Sequence, residues 1–258
     1  MLKEVTSCLK IRDGSFVEAT HTVVTEEPLA IFVNGRHVVT AMMSPDMREE
    51  FVIGHLFTEG IIQSRTDIES LQFEKKIAQV VITHPFKVVA ARKVIVSGCG
   101  GGVSFLDDSK LPKITSHMNI ASGAIIAGVK TVLDSHVHKV TGGVHLVGLF
   151  GKQNHNYVPI CIAEDIGRHN ALDKVIGYGL LKDVKFEETF VASTGRISSE
   201  MALKCSIANI PLVASRGATT SLAIELGEKS GLCIIGFVRG EKMNVYTHAE
   251  RISQLSRG

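Results

Sequence analysis

"TFVASTGRISSEMALKCSIANIPLVASRGATTSLAIELGEKSGLCIIGFV", residues 189 to 238, decides the fold. It reads as strand "TFVAST", helix "SSEMALKCSIAN", strand "PLVAS", helix "TSLAIELGEKS" and strand "LCIIGFV". Strand and helix alternate with short loops, the signature of βαβ units and a mostly parallel sheet with helices on its faces. "LCIIGFV" is apolar on both faces, as a buried parallel strand should be.

Upstream, "GRHNALDKVIGYGLL" predicts a helix with Ala171, Leu172, Val175 and Ile176 on one face. "VTGGVHLVGLF" and "NYVPICIAED" predict strands joined by a turn at Gly151 to Asn154, and "IASGAIIAGVKTVLDSH" predicts another helix. These pieces place an α/β domain at residues 91–258.

The earlier chain has a different rhythm. "THTVVTEEPLAIFVNGRHVVTAMMS" alternates apolar and polar residues on both sides of Asn34-Gly35, a strong hairpin signal. "DMREEFVIGHLFTEGII" has Phe51, Val52, His55 and Leu56 at helical spacing, with Gly60 suited to stop the helix. "SLQFEKKIAQVVITHPF" supplies further strands, so residues 14–90 form a smaller α+β unit, with residues 1–13 free to pack with either unit.

Composition narrows the function. Of 258 residues, 45% are hydrophobic and 21% charged, as in a globular protein with ample core. A net charge of +2, few aromatics and no Trp leave no case for a nucleic-acid partner. The N-terminus lacks an apolar signal segment and no run approaches a membrane span, so the expected location is cytoplasmic. The oligomeric state is left open, a homodimer included.

Five widely spread cysteines without a CxxC argue against a disulfide framework and a zinc knuckle. Cys161, Cys205 and Cys233 sit in apolar strands or on a helix and read as buried small hydrophobes. His136 and His138 would share one face of a strand, but no third ligand follows at useful spacing. His248-Ala249-Glu250 resembles half of a zinc deaminase motif whose cysteine half is missing. No metal site is expected.

Cys99 differs. In "KVIVSGCGGGVSFL", residues 93 to 106, it stands among four glycines. Consecutive glycine N–H groups can favour a thiolate, and exposure favours its attack. The plain alternative is a hairpin with an incidental cysteine.

In open α/β sheets, ligands collect beyond the carboxyl ends of the strands. Four loops there combine Gly with Arg: "AEDIGRHN", "STGRISSE", "SRGATTS" and "VRGEKMN", carrying Arg168, Arg196, Arg216 and Arg239. A guanidinium fork near a helix N-terminus suits an anion, so together they suggest a ligand with phosphates. His169, inside "EDIGRHNALDK", is the best candidate for a functional histidine.

"EEPLAIFVNG", "FVIGHLFTEGII", "TGGVH", "EDIGRHNALDKVIG", "STGRISSEM" and "GFVRGEKMNVYTH", in this order, resemble the formate dehydrogenase accessory protein family (FdhD/NarQ). The resemblance implies a three-layer α/β/α domain like cytidine deaminase, joined to a smaller domain. It implies a sulfurtransferase that takes sulfur from a cysteine desulfurase as a cysteine persulfide. The sulfur passes to the bis(molybdopterin guanine dinucleotide) cofactor destined for formate dehydrogenase, with GDP or GTP as fragment ligands.

By the same resemblance Cys99 is the persulfide cysteine. Phe237, Val238, Arg239, Gly240, Glu241 and Lys242 match the cofactor-binding segment. Arg168, His169, Gly195 and Arg196 join it as candidates from the rim loops. Many members carry CxxC at the cysteine loop, whereas Gly102 stands at the second position here. One thiol suffices for a persulfide, but handover between two cysteines is lost. The alternatives are a cofactor carrier or insertion chaperone that handles no sulfur, and a deaminase-like nucleotide-converting enzyme.

Overall fold

The computed structural model describes residues 2–83, 111–154 and 156–253, so Cys99 and its glycine loop lie outside the described residues. The chain opens with a hairpin, β1 (Leu2–Arg12) and β2 (Ser15–Val24), turning at Asp13 and Gly14, both at positive φ. Four strands then form one sheet: β3 (Glu27–Val33), β4 (Arg36–Met43), β5 (Ile68–Glu74) and β6 (Ile77–Ile82), in the order β4-β3-β6-β5. Asn34 and Gly35 both take positive φ between β3 and β4, which a two-residue hairpin of this kind requires.

Helix α1 (Arg48–Thr58) covers this sheet. Its Phe51, Val52 and Leu56 pack with Ile31 of β3 and Val80 of β6 in one buried cluster. Gly60, at φ +70, lets the chain turn sharply after the helix.

The larger sheet contains β8 (His145–Gln153), β9 (Asn156–Asp165), β10 (Thr189–Ser193), β11 (Leu212–Ser215), β12 (Cys233–Arg239) and β13 (Lys242–Val245). A short parallel pair, β7 (Ile120–Ala121) with β14 (Ile252–Ser253), lies apart from it. The order is β13-β12-β11-β10-β8-β9.

Strands β10, β11 and β12 pair in parallel, as the alternating pattern of residues 189–238 demands. The rest corrects the expectation of a mostly parallel sheet: β8 with β9, β8 with β10 and β12 with β13 are antiparallel, so the sheet is mixed. Tight hairpins join β8 to β9 and β12 to β13, and a short connection of this kind permits only antiparallel pairing. The long connection from β9 to β10 crosses over β8, which separates those two like-directed strands. Gly151, expected in a turn, is inside β8.

Helix α2 (Ser122–Val132) covers one face of this sheet, with Ile125, Val129 and Val132 against Leu146, Phe150 and Phe190. Helices α4 (Arg168–Leu181), α5 (Ser199–Ile207) and α6 (Ser221–Ser230) cover the other. The layers are therefore helix, sheet, helix. Between α2 and α4, α3 (His136–Thr141) packs beside β2. His136 and His138 are on this helix rather than on a strand, and His138 Nδ1 meets the Val144 carbonyl at 3.0 Å.

Helices α1 and α4 bring the two sheets together. A Cβ on Gly54 would fall 1.9 Å from the Asp173 carbonyl oxygen, and one on Gly177 would fall 1.8 Å from that of Glu50. Only glycine allows this approach. Among the described residues, no helix is long and apolar enough to cross a membrane.

Candidate functional site

The segment "EDIGRHNALDK" divides into two jobs. Asp165 ends β9 and is fully buried. Its carboxylate pairs with Lys174 Nζ at 2.6 Å and accepts from the Ser44 amide (3.0 Å), the Gly167 amide (2.9 Å) and Asn170 Nδ2 (2.9 Å). Lys174 also donates to the Ser44 and Glu164 carbonyls. A buried charge is tolerated only when paired and hydrogen-bonded, and this one is fully supplied. Asp165, Asn170 and Lys174 thus lock α4 to the chain between β4 and α1.

One turn further along α4, Asp173 faces Lys204 of α5. Lys204 Nζ donates to Asp173 Oδ1 and Oδ2 at 2.8 and 2.7 Å and to Thr58 Oγ1 at 3.0 Å. His55 Nδ1 and Thr58 Oγ1 complete the Asp173 shell at 3.2 and 2.9 Å. Burial works against the Asp173 charge, yet Lys204 and His55 hold its carboxyl down at about 2. Burial likewise opposes the charge on Lys204, but Asp173, Glu59 and Glu200 raise its ammonium above the usual lysine range.

His169 is buried beside this pair. Its Nε2 is 2.9 Å from Ser198 Oγ and its Nδ1 is 3.4 Å from Glu200 Oε2. Burial, helped by the charges of Arg168 and Lys204, pushes the imidazole down to about 3. Burial pushes Glu200 up to about 7, with Asp173 and Glu59 adding to the rise against Lys204 and Arg168. His169 is therefore neutral near pH 7. Ser198, His169 and Glu200 stand in the spatial order of a Ser-His-acid triad, but an imidazole held this low is a poor general base.

His169, Asn170, Glu200 and Lys204 line a cavity of about 460 Å³ between β4 and α1 on one side and α4 and α5 on the other. Sequence reasoning found His169 but missed Asp173, Glu200, His55 and Lys204.

The arginine loops gather at the strand ends, on two sides of the sheet. Gly195 allows Arg168 close to the β10–α5 loop: a Cβ there would meet Arg168 Cβ and Cδ and His145 Nδ1 at 3.2 Å. Burial lowers the His145 imidazole, and Arg168, His138 and Arg196 lower it further, with Asp165 opposing. Arg216, Arg239 and Gly240 instead line a second cavity of about 360 Å³, whose floor is α2 and whose rim includes Lys130. None of Arg168, Arg196, Arg216 and Arg239 forms an ion pair among the described residues, and Arg168 Nε is buried without a hydrogen-bond partner.

The 237–242 segment is the β12–β13 turn. Pairing shifts register between Gly236 and Arg239, and Phe237 and Gly240 take positive φ, +53 and +58. This bulge turns Arg239 outward, with its guanidinium 5.4 Å from the Phe237 ring centre. Val238 stays buried, Glu241 is at the exposed turn, and Lys242 opposes Arg239 across the hairpin. Ser198 and Thr220 cap α5 and α6 by accepting from Met201 and Ala223, whereas Gly167 precedes α4 without a side-chain cap.

Burial pushes the thiols of Cys161, Cys205 and Cys233 up to about 12. Cys205 and Cys233 are buried and Cys161 is half-buried, consistent with packing roles. A thiolate is the reactive form, so none of these three suits nucleophilic chemistry.

Residues 24–253 match the model of the FdhD/NarQ family. A sulfur carrier protein FdhD from Bacillus pumilus is 36% identical over 94% of this chain and 95% of its own length. The one from Sulfolobus acidocaldarius is 37% identical over 94% and 96%. The crystal structure of a protein described as a formate dehydrogenase accessory protein, from Desulfotalea psychrophila, superimposes with a TM-score of 0.79 at 28% identity, over 98% of this chain and 99% of that one. With one ordered match from the small sheet through the arginine loops to β14, the chain belongs to the FdhD/NarQ family.

Proposed function

We propose that the chain is a sulfur carrier in formate dehydrogenase maturation, acting in the cytoplasm on a cytidine-deaminase-like scaffold. Relatives over nearly its full length are named sulfur carrier proteins. Cys99 is the acceptor. Its thiolate attacks the outer sulfur of a persulfide on a cysteine desulfurase. The donor's S–S bond breaks, the Cys99 disulfanyl bond forms, and the donor cysteine leaves as a thiolate. The bis(molybdopterin guanine dinucleotide) cofactor is the substrate that receives the sulfur, for delivery to formate dehydrogenase.

The observation that carries the cofactor reading is the set of four strand-end arginines without ion pairs among the described residues. An arginine that is not neutralised from within is available to an external anion, and its fork matches a phosphate with two parallel N–H bonds. Arg239 and Arg216 provide this beside the α2 floor, and Gly240 admits close backbone approach. Arg168, His169, Gly195 and Arg196 form a neighbouring stretch of the same rim.

GDP tests this. Arg239→Ala should weaken GDP binding by roughly 10- to 150-fold, the loss of one charge-assisted contact of about 1.5–3 kcal/mol. Melting temperature should stay near that of the wild type, because Arg239 is exposed. Unchanged GDP affinity, or no GDP binding by the wild type at millimolar concentration, would contradict the reading. An insertion chaperone without sulfur chemistry would share the arginine rim, and tolerance of Cys99→Ala would identify it.

A further inference from the structure

The 460 Å³ cavity between the two sheets has an unusual balance of donors and acceptors. Its lysine and amide donors are already taken. The three Lys204 protons go to Asp173 Oδ1, Asp173 Oδ2 and Thr58 Oγ1. Asn170 Nδ2 donates to the Met42 carbonyl and to Asp165, both at 2.9 Å. Neutral His169 faces Glu200 and Ser198 with its two nitrogens.

The acceptors are in surplus. Glu200, 13% exposed at its side chain, has His169 Nδ1 3.4 Å from its Oε2, although a carboxyl can accept about four bonds. Glu26 adds a second carboxylate at the mouth. The charges acting around Glu200 are Asp173, Glu59, Lys204 and Arg168. Counting Glu26 and Glu200 itself, four carboxyl groups stand against two cations, with His55 and His169 beside them. Val39, Met42, Phe51 and Ile166 add apolar wall, with the Thr40 hydroxyl among them.

We infer that this cleft is a binding site for a planar amidinium or guanidinium cation on an apolar body, gripped by the Glu200 carboxylate with Glu26 at the entrance. A flat cation with paired N–H donors meets a carboxylate in two parallel bonds, while the apolar walls cover its faces. A phosphate or other anion suits the arginine loops instead, because the Lys204 and Asn170 donors here are already engaged. The inference does not depend on sulfur transfer at Cys99, although the cavity shares His169 with the residues proposed for the arginine rim.

Binding such a cation favours ionised Glu200, so a proton is released from the fraction still protonated. Affinity should therefore rise as pH climbs through about 7 and level off above it.

The experiment titrates the full chain with benzamidine and, separately, with benzamide, its uncharged isostere, by calorimetry at pH 6 and pH 8. Benzamidine should bind more tightly at pH 8, with benzamide at least tenfold weaker. Glu200→Gln should reduce benzamidine affinity at least tenfold while unfolding cooperatively at a melting temperature no lower than that of the wild type at pH 8, and Arg239→Ala should leave benzamidine affinity unchanged. Agmatine and acetyl-arginine amide, run alongside, distinguish a free guanidine from a peptide arginine as the source, and binding by either supports the site. Equal binding of benzamide and benzamidine, no benzamidine binding at millimolar concentration, or full affinity in Glu200→Gln would overturn the inference. GDP titrated into the same variants keeps the two readings apart, because Glu200→Gln should retain GDP and Arg239→Ala should lose it.

Discussion

Glu200 and Asp173 belong to one buried cluster but titrate in opposite directions. Asp173 is held at about 2, below its ordinary 3.8, so its contribution to stability is complete above pH 4 and fades as pH falls toward 2. Glu200 is raised from 4.5 to about 7, so its contribution is complete below pH 4.5 and is lost as pH rises through 7. Urea midpoints at stepped pH should show that Glu200→Gln removes part of the decline between pH 4.5 and 7. A variant curve parallel to the wild type over that window would refute the assignment. Asp173→Asn leaves Lys204 buried without its counter-charge and should cost about 3–5 kcal/mol. In the native protein at pH 7.5, iodoacetamide should leave Cys161, Cys205 and Cys233 unlabelled, because each thiol is pushed up to about 12. Peptide mapping that finds any of the three labelled as fast as free cysteine would contradict this. These roles were poorly legible in the sequence. Nothing in the sequence marks Lys174 and Lys204, because their burial depends on carboxylates brought in from other elements. His169 was visible because its segment is rich in chemistry-bearing residues.

At the scale of elements, helices α1 and α4 touch backbone to backbone. Gly54→Ala would drive its Cβ into the Asp173 carbonyl, and Gly177→Ala into that of Glu50. Either should force the helices apart and cost about 1–3 kcal/mol or more, since backbone cannot yield as a flexible side chain can. A melting temperature within a degree of the wild type would show that the pair separates without penalty. The signal was present in the sequence, as a glycine inside each of two apolar helices, "FVIGHLF" and "VIGYG". Helices and strands themselves were legible because their periodicity is local. The mixed pairing of the large sheet was not, since the return of β10 beside β8 rather than β9 is decided by packing far along the chain. Phe237 at positive φ was also hidden: a β-bulge in an apolar strand leaves no mark in the residue pattern.

At the scale of the whole molecule, the sheet ends divide the chemistry. Arginines without an ion pair among the described residues are exposed near β10, β11 and β12, and an acceptor-rich cleft opens between the two sheets. The arginine loops could be read from Gly and Arg recurring at strand ends, but their separation onto two sides required the sheet order. GDP affinity should fall as salt rises, because these exposed guanidinium groups are screened. In the proposed function the sulfur chemistry is assigned to Cys99, from its glycine setting in the sequence and from the family. The most direct measurement is to incubate the full chain with a cysteine desulfurase and cysteine, then map sulfur adducts by mass spectrometry without reductant. The account predicts a gain of one sulfur on the peptide carrying Cys99, lost in Cys99→Ser. An unmodified Cys99 peptide, or an adduct on Cys161 or Cys205 instead, would contradict it.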